Sequence, residues 1–186
     1  MAAVEFRGVD IIFGDNRKAA LAMLREGATR DEVIAKTHAV PGAVDISFAV
    51  EPGGIYVLMG LSGSGKSTVL RAVNRLNRVA RGSVFVEHRG KPVDVATCDD
   101  ATLRDIRMTT VAMVFQQFAL LPWRTVRENV GFGLEVRGVS AVERTRIVDE
   151  KLALVGLSNW AEKYSHELSG GMQQRVGLAR AFATDA

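Results

Sequence analysis

The chain has 186 residues, of which 47% are hydrophobic and 24% charged, a composition typical of one globular domain with room for a subdomain. Its 24 basic and 21 acidic side chains leave a net charge of +3 without any long basic block, so there is no electrostatic reason to expect nucleic acid as a partner. The sequence shows no signal peptide, no apolar run near the ~20 residues of a membrane span, and one cysteine, Cys98, which fits a reducing compartment.

Five stretches have strand patterns. β-branched and aromatic residues predict a strand over Val4 to Phe13, and alternating apolar residues predict another over Val44 to Val50. Ile55 to Met59 has no polar face, which predicts a central strand covered on both sides. Ser83 to Val95 is interpreted as two short strands, and Val111 to Phe115 as another buried strand.

The helical patterns are of two kinds. Residues 16 to 37 interrupt a strand-to-strand connection and are interpreted as an inserted pair of helices, Asn16 to Glu26 and Arg30 to Lys36. After Phe115 the pattern is mainly helical, and a capping-box spacing at Ser140 to Glu143 marks one helix start. Strands mixed with helices and followed by a helical block predict an α/β core with a helical subdomain.

The strongest local motif is GLSGSGKST, which follows a predicted strand and precedes a predicted helix. It matches the P-loop pattern G-x-x-x-x-G-K-[ST], in which glycines let backbone N–H groups approach phosphate oxygens. Lys66 is expected to reach the β- and γ-phosphates of a nucleotide, and the Ser67 hydroxyl to ligate Mg²⁺. The predicted nucleotide-binding residues of this loop are Gly60, Ser62, Gly63, Ser64, Gly65, Lys66, Ser67 and Thr68.

A second glycine pair opens the last predicted helix, in the stretch ELSGGMQQRVGLARAFATDA. Ser169 is a good N-cap, and Gly170 and Gly171 leave the first N–H groups of the helix unobstructed. Taken alone, the stretch fits either a second anion site or an ordinary serine-capped helix.

The P-loop, the later Val114-Phe115-Gln116 and the stretch that begins at Leu168 occur in an order and spacing that resembles the ATP-binding subunit of ABC transporters. The resemblance covers nearly the whole chain. It implies a P-loop NTPase core of the RecA-like type, an N-terminal antiparallel β portion and a helical subdomain, and it implies ATP and Mg²⁺ as cofactors.

The resemblance also implies roles for particular residues. Gln116 is similar to the family's glutamine that contacts Mg²⁺ and the attacking water, with Gln117 as the weaker choice. Ser169, Gly170 and Gly171 are similar to the signature residues that bind the γ-phosphate of ATP on the opposite subunit, so two copies would pair head to tail. Phe13 resembles the aromatic residue that stacks on adenine, although a Phe at a strand end also fits an ordinary core residue.

The inserted helices and the segment around Trp123 narrow the resemblance to the ATPases of quaternary-amine importers, which take up glycine betaine, proline or choline. It implies a transmembrane permease as partner, an indirect periplasmic or surface solute-binding protein, and a peripheral place on the cytoplasmic face of the membrane. Trp123 would lie near the permease contact or simply pack in the helical subdomain. A nucleotide-binding fragment without hydrolysis, and a non-transport ABC ATPase, stay as alternatives.

The same resemblance divides the chain into three parts. They are residues 1–115, with the β portion, the P-loop core and the insertion at 16–37; residues 116–168, with the glutamine loop and helical subdomain; and residues 169–186, the signature helix. The family's next strand, ending in Asp-Glu, and its later histidine do not precede Ala186. The chain is therefore expected to be a C-terminally truncated form that hydrolyses ATP poorly by itself.

Overall fold

The computed structural model describes residues 1–185 and forms two compact units, one over Met1–Arg104 and one that begins at Asp105. Ala186, the end of the predicted signature helix, lies outside the described residues. The first unit contains, in chain order, β1 (Val4–Phe13), α1 (Arg17–Arg25), α2 (Arg30–Thr37), β2 (Val40–Val50), α3 (Lys66–Leu70), β3 (Arg81–His88) and β4 (Lys91–Asp94). Helix α4 (Asp100–Thr109) spans the boundary. Over residues 1–185, no helix combines the length and the apolar character needed to cross a membrane.

The four strands form one antiparallel sheet in the order β2-β1-β3-β4. The central strand β1 places Val4 opposite Val50 of β2 on one side and opposite Val86 of β3 on the other. Side chains on its inward face, such as Phe6, are almost completely buried. The strand predicted over Val4 to Phe13 and the hairpin predicted over residues 83–95 are both confirmed, because each carries its own pairing pattern and turn.

The predicted pair of inserted helices is also confirmed. The hydroxyl of Thr29 accepts a hydrogen bond from the backbone N–H of Glu32, and the Glu32 carboxylate accepts one from the backbone N–H of Thr29. This reciprocal bonding fixes the start of α2. The apolar residues Ala20 of α1 and Val33 of α2 pack with Ile12 in one fully buried cluster, so both helices are fastened to the sheet.

The two predicted core strands are wrong for this structure. Ile55 to Met59 forms no strand among the described residues, and the side chains of Ile55 and Met59 are 93% and 86% exposed. Val111 to Phe115 also lies outside any strand. An apolar run becomes a buried strand only when neighbouring strands satisfy its backbone and helices cover its faces, and neither unit supplies these to its run. Helix α3 after the P-loop is correspondingly short, with Val73 and Leu76 in the turns that follow.

The second unit is helical. Its elements after α4 are α5 (Val126–Val136), α6 (Ala141–Leu154), two short 3-10 turns (Ser158–Trp160 and Ser165–Glu167) and α7 (Gly170–Ala183). Helices α5, α6 and α7 bury a shared core that includes Val130, Leu152 and Val176. Only half of the capping box predicted at Ser140 forms. The Ser140 hydroxyl accepts from the N–H of Glu143, but the Glu143 carboxylate pairs with Arg146.

Candidate nucleotide-binding site

The P-loop begins at Gly60, directly after the segment Ile55 to Met59 that forms no strand, and leads into α3. Gly60, Gly63 and Gly65 all have positive φ angles of 152°, 79° and 91°, a region that side chains rarely adopt. A Cβ at Gly60 would lie 2.8 Å from the Ser64 hydroxyl, and one at Gly65 would collide with the carbonyl oxygen of Gly42. The loop therefore keeps a tight curl that only glycine permits, next to strand β2.

Lys66 is folded back onto its own loop. Its Nζ donates to the carbonyl oxygens of Gly60 at 2.9 Å and Leu61 at 2.7 Å, and to the Ser64 hydroxyl at 3.3 Å. The ammonium group is thus held at the inner side of the loop by oxygen atoms. Phosphate oxygens are stronger acceptors for an ammonium group than neutral carbonyls, so a bound phosphate would compete for the same three donors.

The loop forms one wall of a cavity of about 240 Å³. Nine residues line it: Phe13, Arg30, Val40, Gly42, Gly63, Gly65, Lys66, Ser67 and Thr68. Glycine at position 42 lets the Phe13 ring and the Thr68 side chain lie close together. A Cβ at this position would lie 2.5 Å from the Phe13 ring and 3.1 Å from Thr68 Cγ2. An aromatic ring, 40% exposed, and a P-loop thus line the same cavity. Ligand cavities usually have volumes of roughly 300–1,000 Å³, so this one would enclose only part of a molecule the size of a nucleotide.

Most predicted P-loop residues therefore lie near Phe13 in space, although Phe13 precedes Gly60 by 47 positions in the sequence. Gly63, Gly65, Lys66, Ser67 and Thr68 line the cavity, whereas Gly60 and Ser64 contribute by holding Lys66. Ser62 is exposed at the top of the loop. The Ser67 hydroxyl is exposed at the start of α3, where a cation held between protein and phosphate could bind it.

The signature stretch lies in the second unit. The Ser169 hydroxyl accepts a hydrogen bond from the N–H of Met172 at 3.4 Å, so Ser169 is the N-cap of α7 as predicted. Gly170 and Gly171 are exposed, and a Cβ on either would meet no atom within 4 Å. The approach to these first N–H groups is open. Gln173 fixes the preceding turn, because its side-chain amide donates to the carbonyls of Ser165 and Leu168.

Gln116 occupies an exposed turn of the same unit, with Gln117 beside it. The next two residues, Phe118 and Ala119, have φ angles of 59° and 49°, which is strained for residues with side chains. Arg180 of α7 donates to both of their carbonyl oxygens, at 2.9 and 2.7 Å. Burial lowers the pKa of Arg180 from its ordinary value, although the guanidinium stays charged.

Sequence reasoning missed two of these residues. Arg180 was only one of several basic residues on a helix, and nothing local indicates that it holds a turn about sixty positions earlier. Arg30 was part of the insertion, and its place in the cavity follows from the packing of α2 on the sheet. In both cases the signal is a long-range contact, which a residue pattern does not contain.

A family model for the ABC transporter matches residues 43–186, which is well over half of the chain. The chain belongs to the ABC transporter family. This ABC chain is 46% identical to the glycine betaine/proline betaine transport system ATP-binding protein ProV of Escherichia coli over 97% of its length. It is 43% identical to the glycine betaine transport ATP-binding protein OpuAA of Bacillus subtilis over 98%, and 41% identical to the glycine betaine/carnitine transport ATP-binding protein GbuA of Listeria monocytogenes over 100%.

Solved structures agree with this family assignment. The fold is similar to that of a dimeric ATP-binding cassette bound to ADP and phosphate, with a TM-score of 0.78, 28% sequence identity, and coverage of 98% of this ABC chain and 70% of the other. The antiparallel sheet and the helices are thus those of a P-loop ATPase cassette. The chain spans 43% to 46% of the length of these three relatives.

Proposed function

We propose that the chain is the ATP-binding part of an ABC importer subunit, which couples ATP binding and hydrolysis to the uptake of a quaternary amine or related compatible solute. The observation that carries the proposal is the cavity that Phe13 lines together with Gly63 and residues 65–68 of the P-loop. The solute class, glycine betaine, proline or choline, rests on the 41–46% identity to glycine betaine transport proteins.

Different residues would bind the base, the phosphates and the Mg²⁺ ion of the nucleotide. Phe13 offers a ring face on which adenine stacks, and the N–H groups of Gly63–Thr68 together with Lys66 bind the phosphates. The Ser67 hydroxyl and the Gln116 side chain would hold Mg²⁺, which in such sites neutralises charge on the transferring phosphoryl group. The loop fits this role, because side chains at Gly60 or Gly65 would collide with Ser64 or Gly42 and disrupt its curl.

The proposed assembly has three further components. A second copy of the subunit binds head to tail, so that Ser169, Gly170 and Gly171 reach the γ-phosphate in the first copy's P-loop. A transmembrane permease contacts the helical unit at the cytoplasmic face of the membrane, where Trp123 is 71% exposed beside a cavity of about 510 Å³. A periplasmic or surface solute-binding protein delivers the solute to the permease.

Titration of the protein with MgATP by calorimetry tests the first half of this proposal. Lys66→Ala is expected to weaken binding at least tenfold, because it removes the charged group of the loop. Unchanged affinity in this variant would contradict a nucleotide site at the P-loop.

Phosphate release by the same protein tests the second half. Binding without release would restrict the proposal to the nucleotide-binding role. Uptake of radiolabelled glycine betaine, choline or proline by cells with and without the parent gene identifies the solute, and an unchanged uptake of all three would contradict the solute class.

A further inference from the structure

We infer that Arg30 binds the phosphate chain of the nucleotide, which makes the inserted helix pair part of the nucleotide site. This inference rests on the proposed function, since it assigns a further contact to the same cavity. In the sequence, the insertion only narrowed the family resemblance, and no site residue was assigned to it. In the structure, its second helix contributes Arg30 to the lining of the cavity that Phe13 and the P-loop form.

The first observation is the charge of the cavity lining. Arg30 and Lys66 are the two charged side chains among the nine lining residues, and both are cations. A nucleotide carries several negative charges on its phosphates and none on its base. Two cations without a carboxylate between them therefore favour the phosphate chain as the common ligand.

The second observation is the bonding of these two cations. The ammonium group of Lys66 is bonded to three oxygens of its own loop. The side chain of Arg30, by contrast, is exposed and makes no hydrogen bond or ion pair with any residue in the described part of the chain. The Glu32 carboxylate of the same first turn accepts hydrogen bonds from Thr29 and not from Arg30. A guanidinium group offers five N–H donors in a planar fork that suits two phosphate oxygens at once.

The third observation is that the backbone of Arg30 is held firmly. Arg30 is the first residue of α2, directly after the N-cap Thr29 with its complete capping box. One turn later Val33 is fully buried, and the Thr37 hydroxyl donates to the Val33 carbonyl at 2.7 Å and accepts from the N–H of Ala39 at 3.1 Å. Because β2 begins at the next residue, the helix and the strand that lines the cavity are fixed to each other. Only the long side chain of Arg30 has to order when a ligand binds.

Calorimetric titration of purified variants with MgATP and MgGTP tests the inference. Arg30→Ala is expected to weaken binding of both nucleotides by the same factor, about 5- to 10-fold, because they share the phosphate chain and differ in the base. Arg30→Lys should recover part of the loss. Lys36→Ala is the matched control, since it removes one positive charge from an exposed position of the same helix and lies outside the cavity lining. Thermal unfolding of each variant confirms that α2 remains folded.

The outcomes separate the inference from the proposed function. If Lys66→Ala abolishes binding while Arg30→Ala binds as the unmodified protein does, the nucleotide site stands and the inference is wrong. Equal losses in Arg30→Ala and Lys36→Ala would also overturn it, because they indicate a general effect of net charge. A loss confined to MgATP would replace the phosphate contact with a base contact. No loss in Lys66→Ala would remove the proposed function itself.

Discussion

Adding one methyl group at Gly42 should displace the ring that is proposed to stack on adenine. Gly42 lies in β2 between the Phe13 ring and the Thr68 side chain. A Cβ built at this position lies 2.5 Å from Cε2 and 3.1 Å from Cδ2 of Phe13, and 3.1 Å from Cγ2 of Thr68. Carbon atoms in contact prefer about 3.5–4.0 Å, so the ring has to move by roughly 1 Å or more. Gly42 does not have a positive φ, so alanine there meets no backbone strain, and the perturbation is steric.

The size of the effect follows from what the ring can contribute. Stacking of a base on an aromatic side chain contributes about 1–3 kcal/mol, which is the upper limit of the loss if Gly42→Ala abolishes the stack. The Phe13 ring is 40% exposed and can rotate toward solvent, so the fold itself should lose little stability. We expect MgATP affinity to fall by about 1 kcal/mol, or fivefold, in Gly42→Ala and by more in Phe13→Ala.

Isothermal titration with MgATP measures both variants against an alanine-to-valine control at Ala49, an exposed position of the same strand that pairs with Glu5. The Ala49→Val variant should bind as the unmodified protein does. If Phe13→Ala weakens binding and Gly42→Ala does not, the ring accommodates the methyl group without losing the stack, and the steric reasoning fails. If neither variant weakens binding, Phe13 does not stack on the base.

Three further predictions concern stability. Leu152→Ala, in the buried core of the helical unit, should lower the free energy of unfolding by about 2–5 kcal/mol, measured by urea denaturation with far-UV circular dichroism; a loss below 1 kcal/mol would contradict the packing. Asp10→Asn should lower the free energy of unfolding by about 2 kcal/mol in the same assay, because it removes the charge that pairs with Arg81 at 2.6 Å. The loss should be smaller than for a fully buried ion pair, since the Arg81 side chain is 35% exposed. The hydrogen bond from Arg124 lowers the pKa of Glu135 below its ordinary 4.5, so this pair stabilises the fold above that value and the contribution is lost as the pH falls through the lower folded pKa. Glu135→Gln should therefore flatten the loss of stability between about pH 5 and pH 3, and identical acid profiles would refute the assignment.

Local sequence patterns predicted the elements whose stabilising contacts lie close together in the sequence. The β3–β4 hairpin and the short helix α2 could be predicted because the partners that stabilise each lie within a few residues of one another. The apolar run at Ile55 to Met59 was misjudged for the opposite reason. Its hydrophobicity describes a strand with covered faces, whereas strand formation depends on neighbours that the sequence pattern cannot supply.

The candidate site divides in the same way. The P-loop was predictable, because the glycines and Lys66 that define it are contiguous and their conformational demands are local. The adenine-stacking role of Phe13 could be assigned only by resemblance. Its proximity to the P-loop depends on Gly42, which lies between the Phe13 ring and Thr68. Arg30 was not predictable at all, since its position depends on how α2 packs over Ile12.

The arginine that holds the turn after Gln116 has a mechanical consequence. The positive φ angles of Phe118 and Ala119 cost on the order of 1–3 kcal/mol each, and two hydrogen bonds from Arg180 offset that cost. The strained conformation of the turn thus depends on the Arg180 guanidinium group of α7. A shift of one residue along the helix axis is about 1.5 Å, which lengthens or shortens each of the two bonds by at most that amount. The conformation of the turn after Gln116 is therefore coupled to the position of α7, the helix that begins with the two glycines.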